Sequence, residues 1–125
     1  MTGILDIFIE KDGVASMGET TEDISIPSGE EWEITCFGGG ASAGQCEVQL
    51  KYSEDDGSTW TNPFSSTDER IRAIHLVDGS SDSVNFPTAL PFCGGSGRIL
   101  RVIFKNYGLT TAEIAAWFNG RRNVL

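Results

Sequence analysis

Apolar and polar residues alternate with a period of two along most of this chain, the spacing that sends successive side chains to opposite faces of a strand. Ile4–Glu10 carries Leu5, Ile7 and Ile9 in alternation and stops at Lys11-Asp12-Gly13. Thr21–Ile26 is weaker and edge-like, closed by Pro27-Ser28-Gly29. In Glu30–Phe37 the pattern puts Trp32, Ile34 and Cys36 on one face and Glu31, Glu33 and Thr35 on the other. After a flexible loop at Gly38–Gly44, Gln45–Ser53 turns Cys46, Val48, Leu50 and Tyr52 inward. A short strand near Thr59–Thr61 and a loop containing Pro63 follow.

Arg70–Val77 reads as a strand with Ile71, Ala73, His75 and Val77 on one side. Asp78–Asp82 reads as a turn, Ser83–Phe86 as a short strand, and Pro87–Gly97 as a long Gly/Pro-rich connection. Arg98–Tyr107 and Thr111–Asn119 are the most apolar segments, joined by a turn at Asn106-Tyr107-Gly108-Leu109. The Ala-rich centre of Thr111–Phe118 would accept a helix with Thr110 as its cap, but the strongly β run before it favours a strand. About eight short strands with turns at this spacing predict one all-β domain over residues 1–125, a β-sandwich of jelly-roll or related Greek-key topology. The first and last strands are both strongly apolar, as expected if they pair in the middle of a sheet. A short polar tail closes the chain.

The 125 residues suffice for one real core, and 39% hydrophobic content argues against disorder. No apolar run approaches the ~20 residues that span a bilayer, so no membrane partner is expected. Met1–Glu10 has acidic residues and no basic start, unlike a secretory signal, which fits assembly in a cytoplasm. A net charge of −9 disfavours nucleic acid. The charge is uneven, with 13 acidic and 2 basic residues in 1–62 against 5 and 7 in 63–125. That asymmetry serves solubility or helps copies and partners orient.

Candidate chemistry is thin. Cys36, Cys46 and Cys93 form no CxxC, and the one histidine, His75, cannot complete a zinc site with them. Cys36 and Cys46 could pair across their loop, but all three read more naturally as small buried hydrophobes. His75 falls mid-strand on an apolar face, no G-x-S-x-G turn is present, and an enzyme is not expected. The most specific motif is Ser53-Glu54-Asp55-Asp56-Gly57-Ser58-Thr59-Trp60, which matches S-x-D-x-G-x-T-W and resembles the Asp-box of sialidases and other β-propellers. Its chemistry is that of a turn: Ser53, Asp55 and Thr59 bond backbone N–H groups, Gly57 supplies an unusual φ, and Trp60 packs beneath. The EF-hand spacing fails, because position twelve from Asp55 is Ser66, leaving only a looser cation site at Glu54, Asp55 or Asp56. Trp32, Trp60, Tyr52, Phe64 and Phe92 could form a sugar-stacking strip, or pack the core, which their in-strand positions favour for Trp32 and Trp60.

Two stretches carry a family resemblance. Ile26-Pro27-Ser28-Gly29-Glu30-Glu31-Trp32-Glu33-Ile34, followed by a Gly-rich loop and the strand Val48–Tyr52, resembles the entry of jelly-roll head decoration (cement) proteins of tailed bacteriophages. Leu100–Gly108 with Ala112–Gly120 resembles their closing hairpin. The resemblance implies a non-catalytic virion protein without cofactor, bound on the capsid exterior to the major capsid protein as a homotrimer. A carbohydrate-binding module and a tail or fibre domain are the alternatives. In this reading Arg121 and Arg122 form a candidate interface, pairing with carboxylates of a neighbouring copy or of the capsid.

Overall fold

A computed structural model describes residues 2–61, 73–77 and 79–125, and eight strands are found among them. In chain order they are β1 (Thr2–Val14), β2 (Glu19–Ser25), β3 (Glu30–Ala41), β4 (Cys46–Ser53), β5 (Ala73–Leu76), β6 (Ser81–Cys93), β7 (Ile99–Asn106) and β8 (Ala112–Val124). They build two antiparallel sheets, ordered β1-β8-β3-β6 and β2-β7-β4-β5. Every connection but β4–β5 passes from one sheet to the other, which is the jelly-roll arrangement of a β-sandwich.

The core lies where the inner faces meet. Leu100, Val102 and Phe104 of β7 alternate inward and are fully buried, as are Val48 and Leu50 of β4. Opposite them stand Ile34 and Phe37 of β3 and Ile114, Ala116 and Phe118 of β8. Thr111–Phe118 is therefore a strand: residues 112–118 alternate buried and more open positions and pair on both sides.

Five expectations need correction, the first being the Gly38–Gly44 loop, whose residues 38–41 continue β3. β1 does pair with β8, but β1 is an edge strand, so its outer residues Ile4 and Phe8 meet solvent. The alternation of β3 changes phase at a bulge between Ile34 and Cys36, so Phe37, rather than Cys36, points into the core. Ile74 and Leu76 are the inward residues of β5, and His75 lies on the exposed face rather than an apolar one. The expected connection from Pro87 is mostly strand: β6 runs unbroken to Cys93, and only a short turn at 94–98 remains. Prolines fit there because β6 is an edge strand, and the ladder with β3 skips from Asn85 to Leu90 around Pro87.

Cys36 and Cys46 sit on strands of different sheets, and none of the three cysteines is in a disulfide. Only Cys46 is buried; Cys36 is half-buried and Cys93 exposed. The Pro63 loop, Phe64 and Ile71 lie outside the described residues.

Candidate functional site

The Asp-box forms as a turn after β4. Ser53 Oγ donates to Asp55 Oδ1 at 2.8 Å and accepts the Gly57 N–H at 2.8 Å. The Thr59 N–H reaches Asp55 Oδ1 at 2.8 Å, and its hydroxyl bonds Oδ2. Gly57 sits at φ +87°, where only a residue without Cβ is unstrained, with the Trp60 ring against it. These bonds, those from Thr59 foremost and then Ser53, hold the Asp55 carboxyl down at about 2. Both Asp55 oxygens thus serve the turn, and Glu54 lies 3.4 Å from Arg98, so two of the three carboxylates of the looser cation reading, all but Asp56, are engaged within the chain. A carboxyl with a lowered folded pKa stabilises the fold above its ordinary value of 3.8 and loses that contribution as pH falls through about 2. Asp55→Asn should therefore lower the melting temperature at pH 7, with the gap to wild type closing between pH 4 and pH 2 in a series of thermal melts.

Four of the five aromatics of the expected sugar strip fall among the described residues, and they do not come together on a surface. Trp32, Tyr52 and Phe92 are buried, with Tyr52 and Phe92 rings 4.9 Å apart. Trp60 is half-buried outside the core, beneath Arg101 at 4.2 Å, whose guanidinium also grips Asp23 with two bonds of 2.7 and 2.9 Å. Nor are Arg121 and Arg122 a tail. Both belong to β8, where Arg121 lies 3.7 Å from Glu33 and Arg122 3.4 Å from Glu30 of the same chain. Glu30 also accepts the Trp32 indole N–H at 3.1 Å, which ties the end of β8 to the core.

The most distinctive surface is one end of the sandwich. The β1–β2, β3–β4, β5–β6 and β7–β8 loops gather there, at residues 15–18, 42–45, 77–80 and 107–111. In a chain with 18 acidic and 9 basic residues, the described residues of these loops include no charged one, and Asp78, between Val77 and Gly79 in the sequence, lies outside them. Four large apolar side chains project from the loops into solvent: Met17 (70% exposed), Val77 (58%), Tyr107 (46%) and Leu109 (92%).

Buried Asn106 makes this end rigid. It continues the inward alternation of β7 after Phe104, in a place that would otherwise take an apolar residue. Its amide donates to Val14 O at 2.9 Å and Thr110 O at 2.8 Å, and its carbonyl accepts the Gly108 N–H at 2.8 Å. Loop-to-loop bonds add to it: Ser16 Oγ to Gly108 O at 2.7 Å, the Tyr107 N–H to Gln45 O at 2.8 Å, and the Ala41 N–H to Ser80 O at 3.1 Å. Tyr107 is anchored by its hydroxyl, which donates to the buried Glu47 carboxylate at 3.1 Å. Burial first, and then this negative partner, push the phenol above its ordinary value. His75 Nδ1 stands 3.8 Å from the same carboxylate on the open face of the second sheet.

No family model matches the chain, and no curated protein does. Solved structures resemble it only in architecture. A subunit of the disulfide-linked pili of Bacillus endospore appendages aligns over all of this chain and 91% of its own, at 12% identity and a TM-score of 0.46. A structure titled "CBM4 structure and function" aligns over 90% and 66%, at 15% identity and 0.41. The particle of the extra small virus of the prawn Macrobrachium rosenbergii aligns over 94% and 78%, at 13% identity and 0.36. These are β-sandwich-like folds, and the likeness is one of fold alone.

Proposed function

We propose that this chain is a non-catalytic virion protein that docks on the exterior of a capsid through the uncharged loop end, as a decoration protein binding the major capsid protein. The observation that carries the reading is the set Met17, Val77, Tyr107 and Leu109 held out on loops cross-tied by Asn106, at Val14, Gly108 and Thr110, and by the Ala41–Ser80 bond. Large apolar side chains at a rigid tip suit a protein partner, because little conformational freedom remains to be lost on binding. A surface almost without charge suits neither phosphate nor an anionic lipid surface. Three copies around a threefold position would combine several small contacts into one lasting attachment, since a single tip is small. The arginines of β8 are no part of this contact in the proposal, because their carboxylate partners lie within the chain.

Leu109→Glu and Met17→Glu test the proposal. Both residues are exposed, so thermal stability should stay within about 0.5 kcal/mol of wild type. Occupancy on capsids of the encoding virus, measured by co-sedimentation, should fall at least tenfold for the double variant and change little between low and moderate salt. Full occupancy by the double variant, or attachment that dissolves with added salt, would refute docking by this end.

A further inference from the structure

We infer a second binding surface, for a neutral pyranose polymer, on the outer face of the β1-β8-β3-β6 sheet. Phe8 of β1 and Trp117 of β8 are cross-strand partners there, with parallel rings (6° between planes) and centroids 6.3 Å apart. Phe8 is 61% exposed. Gly38, the β3 residue opposite Trp117, makes the arrangement possible: a Cβ there would lie 2.6 Å from indole Nε1 and 2.7 Å from Cε2. The indole thus settles onto the sheet, and its N–H meets no acceptor among the described residues.

The surroundings select the ligand. One ladder step away, Ala115 and Gly40 floor a depression of about 190 Å³ with the carboxylates of Glu10 and Glu113 at its margin. On the other side of the aromatic pair, Asp6 and Asn119 stand opposite each other. The charged groups flanking the pair are therefore acceptors that take hydrogen bonds from hydroxyls and repel anions. A parallel aromatic pair between acceptors fits a ligand with an apolar C–H face and a rim of O–H donors, and a pyranose has both. Acidic polysaccharides are excluded by the same carboxylates. The depression borders the loop end at Ser42, but Phe8 and Trp117 lie on the sheet face and none of Met17, Val77, Tyr107 and Leu109 lines it, so either assignment can fail without the other.

The test uses the whole protein with four probes: hexaoses of β-1,4-linked glucose, xylose and N-acetylglucosamine, and polygalacturonate as the acidic control. Calorimetry should detect at least one neutral hexaose and no polygalacturonate. Phe8→Ala, at an exposed position, should weaken that affinity at least tenfold with an unchanged melting temperature, and Trp117→Leu should do the same. Binding of none of the neutral hexaoses, equal binding of polygalacturonate, or affinity unchanged in both variants overturns the assignment. So does a change in sedimentation coefficient for Phe8→Ala with saccharide affinity intact, which would make this face a protein interface.

Discussion

Asn106→Ala should cost on the order of 3 kcal/mol of folding stability, more than most single truncations of a polar residue. Asn106 is buried to 1% exposure, and its amide and carbonyl satisfy Val14 O, Thr110 O and the Gly108 N–H at once. Alanine leaves those three backbone groups without their partner in a place water reaches poorly, and adds a cavity beside Cys46. Chemical denaturation would give the loss. Amide exchange should further show 15–18 and 107–111 opening well before the strands, because the side chain joins those two loops to the sheet.

Gly120→Ala should be at least as damaging, on the order of 3 kcal/mol or enough to prevent folding. A Cβ at this position would stand 1.9 Å from Glu33 O and 2.9 Å from Glu33 C, both backbone atoms that no rotamer change can move. The site lies where the β3 bulge begins: Ile34 faces Gly120, and the next pair is Cys36 with Asn119. Relieving the clash means pushing β3 from β8 in the middle of the first sheet, beside Trp32 and Phe118 of the core. Expression yield and a denaturant midpoint would check it, with Gly3→Ala on the edge strand, whose nearest contact is 4.0 Å, as the tolerant control.

The fold was legible in the sequence because period-two alternation survives wherever one strand face is buried. Cys46, Val48, Leu50 and Tyr52 of β4 were placed inward by the pattern and are buried, whereas in β7 Ile99 and Ile103 make both faces apolar and only the segment as a whole was marked. The pattern misled where geometry breaks the period or chemistry hides the boundary. The bulge at Thr35 shifts the phase of β3 without any local mark in composition. Prolines at 87 and 91 argue for a loop unless the strand is known to be an edge, and edges are a property of the assembled sheet. Arg121 and Arg122 read as a tail because their partners, Glu33 and Glu30, are about ninety residues earlier.

The functional surfaces were harder to see. The Asp-box was readable because it is local, a set of bonds within seven residues. The loop end is assembled from four separate segments, none of them apolar enough to notice alone. Asn106-Tyr107-Gly108 did mark a turn, and an Asn that extends the inward series of β7 was the available sign that this turn is built around a buried amide. Phe8 and Trp117 are 109 positions apart, and only the β1–β8 pairing makes them neighbours.

Docking through the uncharged loop end is most directly tested by amide hydrogen exchange on the protein free and bound to capsids. The expected result is slower exchange on binding at 15–18, 77–80 and 107–111, with the 94–98 turn at the opposite end unchanged. Protection confined to the 94–98 end, or none in these three loops, would contradict it.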